Sequence, residues 1–327
     1  MDSVSQLVLG AAVSVAAMGR KAPLWQAALV GAVCGTLPDL DVFVDHGDAI
    51  RNMTLHRTES HALLWLTLFS PLLAWLIAGI VRQKQQWVHW WVAVWLALIT
   101  HPLLDLMTVY GTQLGLPLTD FPYAIGSIYI IDPLYTLPLL ICLLVAICLR
   151  DKRGLWWNSL GLTLSTLYLG WSILAQNYAT EQVKAEIARQ HLPAQQLLVT
   201  PTAFNTLVWR VLVMTPQGYA ESYYSLLSQQ RPLRFSYHSR GEELYQRYQG
   251  DWNVERVAWF SHGFFAMREQ QGQLMIADLR MGEEPDYTFT FNLGRQGTGK
   301  QADFRPTRQP LQRPSVSAAF RELWERL

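Results

Sequence analysis

The sequence predicts an α-helical membrane bundle of about six helices, followed by a smaller soluble α+β domain. Two observations carry that expectation. The 327 residues are 50% hydrophobic but only 16% charged, where a soluble domain averages about 25% charged residues. The shortage is also uneven, with 19 charged residues in 1–179 and 32 in 180–327. We therefore draw a membrane-embedded region over 1–176 and an extramembrane α+β domain over 177–327. Disorder, a coiled coil, collagen and a single soluble enzyme domain are excluded. A net charge of +1 also excludes the broad basic field of a nucleic-acid binder.

Apolar runs that suit helices lie near 4–19, 23–37, 62–81, 88–107, 133–149 and 155–175. The last four approach the ~17–25 residues that a membrane span needs. The first two are short and rich in small residues (Gly10-Ala11-Ala12, Ala27-Ala28, Gly31-Ala32). Small residues let helices approach closely in lipid, so these two are read as a tight hairpin within the bundle; a re-entrant pair is the alternative. No basic segment precedes the first run, so it is expected to stay rather than be cleaved as a signal. Beyond 176, residues 177–191 suit a short amphipathic helix. Thr206–Met214 and Tyr219–Leu227 flank a Thr215-Pro216-Gln217-Gly218 turn. Leu274–Leu279 and Tyr287–Leu293 read as strands, Gly294 to Pro314 as a loop, and Val316–Leu327 as a terminal helix. The three cysteines, Cys34, Cys142 and Cys148, all lie in apolar stretches, which leaves the second domain with no disulfide framework.

Charge sets an orientation. Seven basic residues (Arg20, Lys21, Arg82, Lys84, Arg150, Lys152, Arg153) lie in the loops of one side, and only Arg51 and Arg57 in those of the other. The positive-inside rule makes the first side cytoplasmic. Loops 38–61 and 108–132, and the domain after 176, are then periplasmic.

Chemistry-bearing residues gather at that outer face. His101 and Asp105 stand four apart in an apolar helix, which places them on one side a turn apart at a spacing that suits zinc or another divalent ion. His101 bonding a neighbouring carbonyl and Asp105 pairing with an arginine is the alternative. Asp39 and Asp41 flank Leu40 just past a helix end, facing one pocket or marking a turn after Pro38. His56 and His61 bracket a loop-to-helix junction, as ligands or as surface histidines. Each signal alone is weak, but Asp2, Gln6, Asp39, Asp41, His56, His61, His101 and Asp105 all fall at one membrane face. Independent accidents would scatter across both.

These residues also carry a resemblance. The segments Met1-Asp2-Ser3-Val4-Ser5-Gln6, Gly35-Thr36-Leu37-Pro38-Asp39-Leu40-Asp41, His56-Arg57…Ser60-His61, Thr100-His101-Pro102-Leu103-Leu104-Asp105 and Ile131-Asp132-Pro133 resemble, in order, the YdjM-like, LexA-regulated inner-membrane group of metal-dependent hydrolases. The likeness covers about residues 1–150. Two departures stand out: Gln6 occupies a position where many members carry a His, and Thr58-Glu59 replaces a Gly-aromatic pair. A fainter likeness, confined to the motifs, points to the zinc-dependent phospholipase C and P1-nuclease superfamily.

The resemblance implies a membrane-bound metal-dependent hydrolase of the bacterial inner membrane, with Asp39, Asp41, His56, His61, His101 and Asp105 holding one or more divalent ions, most simply Zn2+. Glu59 or Asp2 would accept a proton from water, and Arg57 would clamp a phosphoryl oxygen bidentately. A site at the lipid boundary favours membrane lipid or another amphiphilic phosphoester as substrate. The competing expectation is a non-catalytic membrane protein, with a metal or ion-pair cluster bracing the bundle and the outer domain binding a partner. A transporter is disfavoured by the lack of paired interrupted helices.

Overall fold

The computed structural model describes residues 1–149, 151–228, 232–295, 305–310 and 326. The chain divides into two compact units. The first comprises Met1–Asp41, Arg57–Leu174 and Ala203–Asn205, and the second Val42–His56, Ala175–Thr202 and Thr206–Leu327. The segment from Val42 to His56, expected as part of the outer loops of the bundle, thus belongs to the second unit.

The first unit is helical. It holds α1 (Ser3–Met18), α2 (Leu24–Thr36), α4 (Leu63–Ile80), α5 (Trp87–Leu106), α6 (Pro133–Leu149) and the first part of α7 (Lys152–Arg189). Helix α3 (Ala49–Leu55) falls in the second unit. Among the described residues, two helical segments, Leu63–Ile80 and Lys84–Leu106, are long and apolar enough to cross a membrane, and α1, α2 and α6 are shorter apolar helices. Four runs had been expected to span. Helix α6 stops at 17 residues, and α7 dilutes its apolar stretch with polar and charged residues as it runs on to Arg189.

Close approach explains the small residues of α1 and α2. A Cβ placed on Gly31 would lie 2.2 Å from the Gly10 carbonyl oxygen, and one on Gly35 would lie 2.7 Å from that of Gln6. The tight pairing expected from the sequence is present. It forms the middle of an apolar core with Trp90, Ala93, Leu139 and Leu143. Asn158 of α7 donates to the Ala12 carbonyl at 2.9 Å, a polar contact between helices.

The second unit contains two four-stranded antiparallel sheets, ordered β1-β2-β3-β4 and β5-β6-β7-β8. The first is built from β1 (Gln196–Pro201), β2 (Val208–Thr215), β3 (Gly218–Ser225) and β4 (Ser236–His238). The second is built from β5 (Phe265–Gln270), β6 (Gln273–Glu283), β7 (Asp286–Arg295) and β8 (Thr307–Arg308). The Thr215-to-Gly218 hairpin and the strands around 274–279 and 287–293 stand where the sequence placed them. Strand β2 is buried on both faces. Trp209, Val211 and Val213 pack with Ala175, Ala179 and Val183 of α7, while Leu212 and Met214 pack with Phe264, Ala277 and Leu279. Short helices α8 (Glu242–Arg247) and α9 (Trp252–Phe260) precede β5. The expected helix over 316–327 lies outside the described residues, except for Arg326, as does most of the expected loop over 294–314.

Helix α7 is continuous through 152–189, whereas two separate helices were expected over 155–175 and 177–191. The polar stretch Gln176-Asn177-Tyr178 looks like a break, but it contains neither Gly nor Pro, and nothing in it stops the i→i−4 ladder.

Candidate metal centre

The centre sits in the first unit, where the end of α2, the start of α4 and the last turns of α5 meet. Pro38 starts a 3-10 turn after α2 that carries Asp39. A second 3-10 turn, Glu59–His61, delivers His61 just before α4. His101 and Asp105 follow one another on the buried face of α5.

Four atoms converge. His61 Nε2 lies 3.1 Å from His101 Nε2 and 3.4 Å from both Asp39 Oδ1 and Asp105 Oδ2. His101 Nε2 lies 3.3 Å from Asp39 Oδ1 and 3.4 Å from Asp105 Oδ2. Five edges of a tetrahedron are thus between 3.1 and 3.4 Å. A regular tetrahedron of that edge has its centre about 2.0 Å from each corner, which is the zinc–nitrogen and zinc–oxygen distance.

Hydrogen bonding outside the tetrahedron sets which atoms face inward. His101 Nδ1 is 2.6 Å from the Gly35 carbonyl oxygen. A carbonyl only accepts, so Nδ1 carries the proton, and in the neutral imidazole Nε2 presents a lone pair. Ser60 Oγ donates to Asp41 Oδ2 at 2.7 Å and lies 2.8 Å from His61 Nδ1. Its one proton is spent on the carboxylate, so His61 Nδ1 donates to it and His61 Nε2 is also a lone pair. Two imidazole lone pairs then face two carboxylate oxygens, and both Asp39 Oδ1 and Asp105 Oδ2 are buried without a hydrogen-bond donor. Four acceptors pointed at one spot require a proton or a metal ion.

The far oxygen of Asp105 is fully committed. Oδ1 accepts from Arg57 Nη2 at 3.1 Å, from Gln6 Nε2 at 3.0 Å and from the Met1 amino group. That leaves Oδ2 alone to face the centre. Gln6 Nε2 also donates to the His101 carbonyl at 3.1 Å, tying α1 to the turn that bears both α5 residues. The alternatives raised for His101 and Asp105 are therefore real contacts, made by the atoms that face away from the tetrahedron.

The remaining expected residues occupy other places. Asp41 stands one layer back, accepting from the Arg57 backbone N–H at 2.9 Å and from Ser60. Arg57, expected to grip a phosphoryl oxygen, is buried against Asp105 with its guanidinium over the Tyr110 ring. Its φ of +64° is a left-handed backbone that non-glycine residues rarely adopt, fixed by Asp41 on one side and by Gln113 N–H on its carbonyl at 3.0 Å. The Asp2 carboxylate caps α1, accepting from the N–H groups of Val4 and Ser5 and from Ser5 Oγ. Glu59 is exposed. His56 ends α3; it is outside the four-residue group, and with Asp39 and Asp41 it makes up a second set of possible metal ligands. Sequence reasoning did not foresee Gly35 and Tyr110 as supports. A carbonyl and a ring face leave no mark in residue spacing.

The YdjM inner membrane protein family matches residues 1–179. Among curated proteins, the chain is 25% identical over 237 residues to "Uncharacterized protein YfhP" of Bacillus subtilis (strain 168), covering 67% of each chain. No solved structure matches, and the fainter likeness to phospholipase C and P1 nuclease finds no support. The match spans more than half of the sequence and contains every residue of the tetrahedron, and the chain belongs to the YdjM inner membrane protein family.

Proposed function

We propose that the protein is a multi-pass inner-membrane hydrolase that depends on a divalent metal, most simply zinc, and acts on a phosphoester of a lipid or other amphiphile. The observation that carries this reading is the Asp39–His61–His101–Asp105 tetrahedron, four ligand atoms brought together at zinc-like spacing. A divalent ion held there supplies Lewis acidity and lowers the pKa of water toward neutrality. Asp105 and the two histidines are held rigidly by Arg57, Gln6, Gly35 and Ser60. Asp39 has the most exposed side chain of the four, at 22%, and is the edge from which substrate and water enter. Glu59, exposed in the turn that carries His61, is the carboxylate outside the ligand set that takes the proton. Arg57 holds Asp105 in place. In this reading the basic loops are cytoplasmic, and the centre and the second unit are periplasmic.

One observation favours a second reading. Four protein ligands close a zinc site, and closed sites are structural, whereas catalytic ones keep a position open. The metal would then brace α2, α4 and α5, and the second unit would bind a partner. Turnover separates the two. Purified protein in detergent is offered phospholipids and simple phosphodiesters, with and without chelator. Hydrolysis that chelator abolishes and His101→Ala eliminates supports the hydrolase. Full metal content without hydrolysis of any substrate supports the structural ion.

A further inference from the structure

The loop between α5 and α6 has a shape that the metal chemistry does not use. Gly111 to Gly126 doubles back as a hairpin, closed where Thr112 and Tyr123 exchange backbone hydrogen bonds at 2.9 and 3.0 Å. Its base is pinned to the ends of both candidate spans. Leu63 N–H, at the first residue of α4, donates to the Leu114 carbonyl at 3.1 Å, and Ile125 N–H donates to the Leu106 carbonyl, at the last residue of α5, at 2.8 Å. The Gln113 bond to Arg57 adds the histidine segment to the same anchor. The hairpin therefore stands at the level where α4 and α5 leave the apolar layer.

Its tip is apolar where a water-facing loop would be polar. Over Leu116-Pro117-Leu118-Thr119-Asp120 the single charge is Asp120, and Leu118 is 90% exposed. The turn is built to hold this arrangement. Leu118 and Thr119 N–H both donate to the Gly115 carbonyl, at 2.9 and 3.2 Å, and a Cβ on Gly115 would lie 2.4 Å from Thr119 Cγ2. Leu64 and Trp65, in the first turn of α4 next to the Leu63 anchor, are also exposed apolar side chains. A leucine held fully outward on a stiff turn has no use in water, and full burial of such a side chain is favourable by about 1.5–3 kcal/mol.

We propose that this hairpin inserts its Leu116–Leu118 tip into the acyl layer of the membrane beside the metal centre, so that the centre is presented to molecules that carry an apolar tail. The inference rests on α4 and α5 being spans, and the test reports on that separately. Nitroxide labels are placed one at a time through Leu118→Cys, Leu68→Cys (on the 60% exposed face of α4) and Glu181→Cys (a charged, exposed position on α7). Each carries Cys148→Ser, since Cys34 and Cys142 are buried. The labelled full-length protein is reconstituted in phosphatidylethanolamine–phosphatidylglycerol vesicles and scored for collisions with oxygen and with a water-soluble nickel chelate. Insertion predicts oxygen-rich, nickel-poor collisions at 118, matching 68 and opposite to 181. A nickel-accessible 118 beside a lipid-exposed 68 overturns the insertion while the spans stand. A label at 118 shielded from both reagents overturns it in favour of a protein contact, and nickel access at both 118 and 68 overturns the spans and the insertion together.

Discussion

Asp105 shows how a single buried carboxylate divides its work. One oxygen is saturated by Arg57, Gln6 and the Met1 amino group. The other is buried with no donor and faces two imidazoles. Groups that orient metal ligands are typically worth about 10–100-fold in metal affinity. Arg57→Lys and Gln6→Leu are therefore expected to weaken metal binding by about that factor, read by competition with a chelating dye, while an exposed change such as Arg51→Lys leaves it unaltered. The second unit holds a different kind of pair. Arg210 and Glu221, both buried, are bonded to each other, and Glu221 also accepts from Tyr287 Oη at 2.6 Å. Burial works against the Glu221 charge, but Arg210 and Tyr287 together hold its carboxyl below the ordinary range. A carboxyl lowered in the folded state stabilises above its unfolded pKa and loses that stabilisation as pH falls through the folded value. Glu221→Gln is expected to cost about 3–5 kcal/mol near neutral pH. Its deficit in thermal midpoint should narrow steadily as the melts are taken into acid, and a deficit that stays constant with pH would remove the charge from the explanation.

Elements were legible where a local pattern decides them. The apolar runs gave α1, α2, α4, α5 and α6 nearly in place, because burial and propensity agree there. The Pro216-Gln217 turn gave the β2–β3 hairpin. Strands β1 and β5 were missed because Gln196–Pro201 and Phe265–Gln270 lack alternation, and what makes them strands is pairing with β2 and β6. At the centre, His101 and Asp105 were legible from four-residue spacing on a helix. The joining of Asp39 and His61 to them was legible only as co-location at one face. Which oxygen of Asp105 faces inward, and the pairing of Arg57 with the other, depend on tertiary contacts that no spacing encodes. The α1–α2 hairpin yields its own prediction. Gly31→Ala puts a methyl 2.2 Å from the Gly10 carbonyl, and overpacking of this kind costs about 1–3 kcal/mol. Gly170→Ala, with nothing within 4 Å of its Cβ, should be neutral or slightly stabilising. Thermal melts in detergent compare the two, and equal midpoints would show that the close approach is not a constraint.

For the whole molecule, the helical unit falls within the match to the YdjM inner membrane protein family, and we propose that this unit is embedded in the membrane and that the antiparallel β unit lies on the periplasmic side. The motive is the excess of basic residues in one set of loops over the other. A phosphatase that needs the periplasm, fused after Leu327, should be active, and a fluorescent protein that matures only in the cytoplasm should stay dark. The reverse pattern would move the centre to the cytoplasmic face. The central claim is narrower and independent of topology: the four inward atoms of Asp39, His61, His101 and Asp105 hold one metal ion. X-ray absorption at the zinc edge, with elemental analysis of the same purified protein, tests it most directly. The account predicts about one zinc per chain with four nitrogen or oxygen neighbours near 2.0 Å, lost in His101→Ala and Asp105→Asn but kept in His46→Ala. A protein that folds and melts normally with no bound metal, or that keeps its full complement in both His101→Ala and Asp105→Asn, would contradict it.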